Sequence, residues 1–380
     1  MTCNGRNVFT GEPVEVRFNG SITSVDISQS PAPGPWISPG FIDIQVNGYD
    51  GVDYNNPAIS QEEIARSLDV QFSAGMTRCY PTVITGGPDD MANCLRNLSR
   101  AKDKLKTGMA MEGFHVEGPH ISPDDGPRGA HPRRWVRPPD VDEYRRWQEA
   151  ADGRVRLITL APEWPGAPKY IETIVGDGVV ASIGHTNAGA KEIADAVSAG
   201  ATLSTHLGNG AHQMLLRHPN YIWHQMAEDA LMADFICDGI HLSGSFLKVA
   251  IRAKGIERSV LVTDAAGPAG AKPGRYRLGE QDVDLTTDGR VVLAGQDKLA
   301  GSALRLDRGL ANLMKLASLT LSQAAQMATV NAAKAGKIAG RRKGLTPGER
   351  SDFVIFQFDE AKKEIKVEQT WISGEKVFQS

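Results

Sequence analysis

Five apolar stretches of the sequence each end in a side chain that can bind a metal ion or carry a proton. These residues are Glu117, His185, His206, His241 and Asp264. A carboxylate in such a position is costly to bury unless it is paired, hydrogen-bonded or bound to a metal. Two imidazoles and a carboxylate form a common zinc-binding set that leaves a fourth position for water, and zinc brings the pKa of that water to roughly 7. We therefore expect a hydrolytic site in which Asp264 takes a proton from water and returns it to a leaving group.

These side chains are far apart in the sequence, so the fold must bring them together. Eight predicted strands alternate with helices, which is typical of a (β/α)8 barrel, where catalytic groups gather at the carboxyl ends of the strands. The predicted strands cover residues 41–47, 77–84, 111–117, 155–163, 179–185, 201–207, 232–241 and 259–266. The predicted helices cover residues 60–75, 89–105, 140–152, 188–200, 244–255, 303–318 and 320–336. The alternative is an open doubly wound sheet, but no G-x-G-x-x-G fingerprint after an early strand supports it.

Both ends of the chain contain short alternating stretches separated by turn residues, which predict strands joined by hairpins. An isolated hairpin is marginally stable, so we expect residues 1–38 and 346–380 to form one small β-sandwich domain. Residues 39–345 would then form the catalytic barrel. Within it, residues 275–299 predict a β-hairpin insertion with Asp288 and Gly289 at its turn. Residues 31–35, Pro-Ala-Pro-Gly-Pro, predict a stiff connector.

The composition argues against several kinds of partner. The chain has 380 residues, of which 41% are hydrophobic and 23% charged, as is typical of a globular protein. A net charge of −3 gives no reason to expect a nucleic acid partner. No apolar stretch approaches the roughly 20 residues that span a bilayer, and the first residues do not resemble a signal peptide. The four cysteines show no paired spacing, which predicts reduced thiols and a cytoplasmic location.

An ordered set of motifs resembles the N-acetylglucosamine-6-phosphate deacetylases of the amidohydrolase superfamily. In chain order the motifs are SPGFIDIQVNG, HVEGPHI, TLAPE, IGHTNA, THLGN, DGIHL, LVTDAAGP and LAGSALRLD. The resemblance runs nearly from end to end and implies a metal-dependent barrel with a small β-sandwich built from both chain ends. It also implies an enzyme that hydrolyses the acetamide of N-acetylglucosamine 6-phosphate to glucosamine 6-phosphate and acetate.

The same resemblance implies a role for individual residues. Glu117, His185 and His206 match the family's metal ligands, and Asp264 matches its catalytic acid and base. His131, in the motif RGAHP, matches a histidine that holds and polarises the substrate amide. These assignments predict which strand-end residues bind the metal and which one moves protons.

The resemblance further assigns a set of substrate-binding residues. They are Ala130, Asn209, Gly210, Arg217, His241, Leu299, Ala300 and Gly301. Arg217 and His241 match residues on the phosphate side, and a guanidinium pairs well with phosphate. Because this family often completes the phosphate site across a dimer interface, the resemblance implies a homodimer that acts on a small phosphorylated amino sugar.

Gln45 and Asn47 stand where many amidohydrolases have a His-x-His motif that supports a second metal ion. Carboxamides are neutral and poor ligands for zinc, so we expect one divalent metal ion per subunit. Zinc suits the two histidines and one glutamate, with iron, manganese or cobalt as alternatives. We count Gln45 and Asn47 among the substrate-binding residues, with hydrogen bonding to the metal ligands as their other expected role.

Residues 208–225 depart from the family pattern where the phosphate and the sugar should bind. Gly208 to Met214 reads GNGAHQM, and the following Arg217-His218-Pro219-Asn220 leads into the bulky Tyr-Ile-Trp of residues 221–223. This motivates an alternative, a related amidohydrolase that acts on another N-acetyl amino-sugar phosphate, such as the galactosamine form, or on a different amide. A second alternative is a non-catalytic barrel scaffold, against which the intact ligands and Asp264 argue.

Overall fold

Both chain ends fold into one seven-stranded sheet in the computed structural model, which describes residues 1–28, 34–341 and 343–380. In spatial order the strands are Glu375–Gln379, Glu364–Ile372, Phe353–Asp359, Trp36–Pro39, Thr2–Asn7, Pro13–Phe18 and Ile22–Ile27. Alternate side chains such as Val16, Phe18 and Phe353 pack into a small apolar core of their own. The predicted connector at residues 31–35 lies partly outside the described residues. The pairing of the two ends agrees with the predicted fold class.

The middle of the chain forms the predicted barrel. Its strands, all parallel to their neighbours, are Phe41–Val46, Met76–Ile84, Phe114–Glu117, Val155–Leu160, Val180–Ile183, Leu203–Ser204, Met232–Ile236 and Ser259–Val262. The last strand meets the first through a bridge between Val46 and Ala265, which leaves the ring nearly closed. The fold class is therefore confirmed, and the carboxyl ends of all eight strands face one side.

Helices cover the outside of the barrel. They are Gln61–Phe72, Pro88–Lys104, Val141–Ala150, Ala167–Gly176, Ala190–Ser198, Tyr221–Ala227, Gly244–Lys254, Leu306–Leu316, Leu321–Ala328 and Val330–Ala335, with 3-10 turns at Lys106–Ala110, Arg133–Trp135 and Ile256–Arg258. Ser60 begins the first helix with a capping box, as its sequence favours. Two helices, Ala167–Gly176 and Tyr221–Ala227, are additions to the prediction. The helix predicted for residues 320–336 is interrupted at Thr329, whose side chain donates back to the carbonyl of Ala325 at 2.6 Å.

A separate sheet lies in the segment that was predicted to be a hairpin insertion. It contains three antiparallel strands, Gly274–Leu278, Gln281–Leu285 and Val291–Leu293, rather than two. The turn at Asp288 and Gly289 joins the second strand to the third, and Gly289 has a φ of 85°. The extra strand is Gly274–Leu278. Apolar residues on one face of this sheet contribute to a third small core. A short two-stranded ribbon, Gly48–Tyr49 with Val52–Asp53, follows the first barrel strand.

A buried ion-pair cluster joins the barrel to the terminal sheet. Asp352 accepts from Nε of Arg78 at 2.6 Å and from Nε of Arg350 at 2.7 Å. Arg341 also contacts the carboxylate at 3.7 Å, and Asp352, Arg78 and Arg341 are almost fully buried. Charges buried this deeply are tolerated because they are paired and hydrogen-bonded.

Among the described residues, none of the helices has both the length and the apolar character that a membrane span requires.

Candidate metal and catalytic site

Glu117, His185 and His206 converge at the carboxyl end of the barrel. Nε2 of His206 lies 2.9 Å from Oε1 of Glu117, and Nε2 of His185 lies 3.1 Å from the same oxygen. All three side chains are buried, and their ligand atoms lie within 4.8 Å of one another. In a tetrahedral zinc site, each ligand atom lies about 2.0–2.1 Å from the ion, which places two ligand atoms about 3.3 Å apart. The donor types and their spacing therefore fit one metal ion.

Sharp backbone turns present these residues just beyond their strands. His185, His206 and Asp264 have φ values of 51°, 30° and 49°, a left-handed conformation that costs about 1–3 kcal/mol for such residues. Hydrogen bonds from neighbouring strands hold the turns in place. Oδ1 of Asp234 accepts from the backbone N–H of His206 at 2.5 Å, and the carbonyl of Gln45 accepts from that of Asp264 at 2.9 Å. The barrel thus stabilises strained backbone at the residues that form the site.

The ring of His185 is fixed in one orientation. Its Nδ1 lies 2.7 Å from the carbonyl oxygen of Pro127. A carbonyl only accepts hydrogen bonds, so Nδ1 carries the proton and Nε2 keeps a lone pair for a metal ion. Two left-handed glycines, Gly129 and Gly210, let neighbouring loops approach the ring. A Cβ at Gly129 would lie 2.9 Å from Cε1 of His185, and one at Gly210 would lie 2.6 Å from Nδ1. Larger residues at these two positions would displace the ring.

Two amide side chains connect Asp264 to the metal ligands. Oδ1 of Asp264 accepts from Nδ2 of Asn47 at 2.7 Å and from Nε2 of Gln45 at 3.2 Å. The same Gln45 nitrogen lies 3.0 Å from Oε1 of Glu117. Both amides therefore present N–H groups to carboxylates, and they hold one oxygen of Asp264 while Oδ2 remains available.

The two carboxyl groups of the site differ in acidity. Burial, together with the negative charge of Glu117, raises the pKa of Asp264 to about 7. Burial also opposes ionisation of Glu117, but the contacts of its Oε1 with the imidazoles of His185 and His206 outweigh it and hold the pKa of Glu117 well below its ordinary value. One carboxylate is thus kept ionised for a metal ion, whereas the other exchanges its proton near neutral pH. This separation is typical of sites that use two carboxyl groups for two roles.

His131 is buried on the other side of His185. Its Nδ1 lies 2.8 Å from Oγ1 of Thr85, and its ring packs edge-on against that of His185 with centroids 4.5 Å apart. Burial, with the neighbouring His185, lowers the pKa of His131 to about 3. The ring is therefore neutral at neutral pH, with Nδ1 engaged by Thr85 and Nε2 as the other polar atom.

A cleft of about 1100 Å³ opens from these residues. The predicted site residues that line it are Asn47, Glu117, Ala130, His131, His185, His206, Asn209, Gly210, His241, Asp264, Leu299, Ala300 and Gly301. Residues from more than eight separate segments of the chain thus meet around one space. Its volume is slightly above the range of about 300–1,000 Å³ that is typical of small-ligand sites.

Two predicted substrate-binding residues do not line the cleft. Gln45 lies behind the wall, where it is buried and hydrogen-bonded to Glu117 and Asp264. Arg217 is exposed on the loop after residue 214 and is absent from the cleft wall of its own chain.

His241 lines the cleft but does not lie at the end of a strand, which corrects the predicted strand over residues 232–241. The strand ends at Ile236. The side chain of Asp238 accepts from the backbone N–H groups of Ile240 and His241, each at 2.8 Å, and this local turn competes with strand pairing. Oδ2 of Asp238 also lies 2.6 Å from Nδ1 of His241, which leaves Nε2 as the free ring nitrogen.

Three residues that contribute to the site were not predicted from the sequence. Asp234 supports the turn at His206, Thr85 holds His131, and Lys298 lines the cleft. A charged residue inside the apolar stretch MADFI was a signal for Asp234, because buried carboxylates need partners. Thr85 directly follows a predicted strand and offered the same kind of signal. For Lys298, in a polar turn, the sequence held no comparable signal.

Comparisons with known proteins agree on one family. The model for the amidohydrolase family matches residues 36–377. The chain is 33% identical over 328 residues to N-acetylglucosamine-6-phosphate deacetylase of Bacillus subtilis, covering 84% of this chain and 80% of that protein. It is also 33% identical over 343 residues to N-acetylgalactosamine-6-phosphate deacetylase of a Shewanella species, covering 90% and 83%.

A solved structure extends this similarity to three dimensions. It is an aspartate-to-alanine mutant of N-acetyl-D-glucosamine-6-phosphate deacetylase from Mycobacterium smegmatis in complex with N-acetyl-D-glucosamine-6-phosphate. The TM-score is 0.87 at 30% identity, and the match covers 97% of this chain and 95% of that chain. The whole architecture, barrel and terminal sheet together, is therefore shared.

Proposed function

Because the chain belongs to the amidohydrolase family, within its N-acetylglucosamine-6-phosphate deacetylase branch, we propose that it hydrolyses N-acetylglucosamine 6-phosphate to glucosamine 6-phosphate and acetate. The observation that carries the proposal is the convergence of Glu117, His185 and His206 beside Asp264 in one cleft. Relatives with deacetylase names support the substrate class. A non-catalytic scaffold would have no need for this set of donors.

Glu117, His185 and His206 would hold one divalent metal ion, which supplies a Lewis acid that activates water and polarises the amide carbonyl. Asp264 accepts a proton from the attacking water at Oδ2, since Oδ1 is held by Asn47 and Gln45. It then passes this proton to the amine nitrogen as the bond to the acetyl group breaks. A pKa of about 7 suits a group that both takes and returns a proton at neutral pH.

His131 orients the substrate amide. When the hydroxyl of Thr85 donates to Nδ1, the proton of the neutral ring is on Nε2. That N–H donates a hydrogen bond to the oxygen of the acetyl group, where negative charge develops during attack. His131 lines the cleft, as this role requires.

Zinc is the proposed metal, with one ion per chain. Two imidazole nitrogens and a carboxylate oxygen suit zinc, although iron, manganese and cobalt accept the same donors. The hydrogen bonds of Gln45 and Asn47 support a single ion, because their nitrogens face the carboxylates and an amide N–H is not a metal ligand. Elemental analysis of the purified protein tests both the identity and the number of ions.

A homodimer is the proposed assembly. Met214, Leu216 and Trp223 are 90%, 74% and 46% exposed, an unusual concentration of apolar surface around Arg217. A second copy of the chain that covers this surface would bring Arg217 towards the cleft of the partner subunit. Sedimentation should show a dimer that Trp223→Glu dissociates, whereas the control Ile27→Glu, 72% exposed on the terminal sheet, leaves it intact. A monomeric wild-type protein would refute this assembly.

The proposed location is the cytoplasm. Cys79, Cys94 and Cys237 are buried free thiols, and Cys3 is free as well. Free thiols of this kind are typical of a reducing compartment.

The galactosamine epimer is the second candidate substrate. The Shewanella relative is as similar in identity as the Bacillus one. Residues 208–225 also depart from the family pattern, and residues 208–214 of this segment line the cleft.

A substrate panel separates these candidates. Acetate release from N-acetylglucosamine 6-phosphate, N-acetylgalactosamine 6-phosphate and unphosphorylated N-acetylglucosamine is compared as kcat/KM with the metal-loaded protein. The proposal expects the highest value for N-acetylglucosamine 6-phosphate. A higher value for the galactosamine form would replace it with the second candidate, and no acetate from any of the three would refute both.

A further inference from the structure

Lys298 is the one lysine or arginine among the described residues that line the cleft. Its backbone is fixed in place by the three-stranded sheet. The carbonyl of Lys298 accepts from the backbone N–H of Leu293 at 2.8 Å, and the next residue, Leu299, bridges to Val292. The same strap continues to Ser302, whose N–H donates to the carbonyl of Asp264 at 2.9 Å. Lys298 is therefore held on the cleft wall a few residues before the chain reaches the catalytic aspartate.

Lys298 forms no direct ion pair among the described residues, and the charge of Asp125 only partly offsets the cost of its burial. Two carboxylates lie close to it, but each is already paired with an arginine. Arg128 pairs with Asp125, and Arg290 pairs with Asp297 at 2.5 Å. Burial, and to a smaller extent Arg128, lowers the pKa of Lys298. A partly desolvated cation with no ion pair of its own is energetically costly, and an anionic ligand in the cleft would reduce that cost.

We propose that Lys298 binds the phosphate group of the substrate from the same chain that holds the metal ion. This inference rests on the proposed function, since it assigns a partner to the phosphate of that substrate. An ammonium group is a common phosphate ligand, and it acts as a point charge that needs no bidentate geometry. Lys298 would serve in addition to Arg217, which lies outside the cleft of its own chain.

The test measures binding as well as turnover. Isothermal titration calorimetry compares glucosamine 6-phosphate with glucosamine, and acetate release gives KM and kcat for N-acetylglucosamine 6-phosphate. The variants are Lys298→Met, Lys298→Arg and the control Lys169→Met, which removes an exposed lysine on helix Ala167–Gly176. All proteins are used as metal-loaded full chains.

Lys298→Met should weaken binding of glucosamine 6-phosphate by about tenfold or more and raise KM by a similar factor, the usual effect of losing a hydrogen bond to a charged group. Lys298→Arg should recover most of the affinity, because it restores the positive charge, and Lys169→Met should match the wild type.

Unchanged affinity for glucosamine 6-phosphate in Lys298→Met would overturn the inference. So would an equal loss of affinity for glucosamine, since the effect would then not depend on phosphate. Absence of acetate release by the wild-type protein would instead refute the proposed function, while the calorimetric comparison still decides the role of Lys298.

Discussion

Removal of the Asn47 side chain tests how Asp264 is held for proton transfer. In the structure, Nδ2 of Asn47 makes the shorter of two hydrogen bonds to Oδ1 of Asp264, 2.7 Å against 3.2 Å from Gln45. A hydrogen bond to a charged group contributes about 1.5–3 kcal/mol. If that stabilisation is lost in the transition state, Asn47→Ala lowers kcat by about 10- to 150-fold.

The same change has a definite effect on pH dependence. The hydrogen bond from Asn47 favours the ionised form and lowers the pKa of Asp264, against burial and Glu117, which raise it to about 7. Without Asn47 the pKa rises further, so a higher pH is needed to ionise the base. The acidic limb of the kcat/KM profile should therefore move to higher pH in Asn47→Ala.

The assay is acetate release across pH 5–9, with metal content measured in parallel. Metal content should not change, since Asn47 touches Asp264 rather than the three donor residues. Asn93→Ala, an exposed position on helix Pro88–Lys104, is the matched control. An Asn47→Ala enzyme with the wild-type kcat and an unmoved acidic limb would refute this account of how Asp264 is positioned.

Three further outcomes are expected. Asp264→Asn should lower kcat by about 100-fold or more, the usual effect of losing a general acid–base group, with metal content retained in elemental analysis. Glu117→Gln should lower both metal occupancy and melting temperature, because bound metal stabilises the folded chain, and wild-type occupancy would argue against the donor set. Asp352→Ala should lower the free energy of unfolding in urea by about 3–5 kcal/mol, since Arg78 and Arg341 would stay buried without their shared carboxylate, and a loss below about 1 kcal/mol would contradict this.

Much of the fold was predictable because the signals are local and repeated. Apolar stretches of strand length alternate with amphipathic helices, and this pattern alone selects a small number of architectures. Helix Tyr221–Ala227 was missed because its start depends on Asn220, whose side chain accepts from the N–H groups of residues 222 and 223, while its aromatic residues are weak helix formers. The first strand of the small sheet, Gly274–Leu278, was missed because it forms only by pairing with strand Gln281–Leu285.

The convergence of the site residues was predictable for a related reason. Glu117, His185, His206 and Asp264 each follow a buried stretch, and barrel geometry then places them together. Lys298 gave no such signal, because its position on the cleft wall depends on how a separate sheet packs over the barrel. His241 was assigned to a strand end because the sequence pattern does not reveal the turn formed by Asp238.

The most direct test of the central claim is a zinc titration of the metal-depleted protein, followed by acetate release from N-acetylglucosamine 6-phosphate. If Glu117, His185 and His206 hold one catalytic ion, activity rises linearly and reaches its plateau at one zinc per chain. The His206→Ala protein should show no such rise. A plateau at two ions per chain, or full activity before any zinc is added, would contradict the single-ion account of this site.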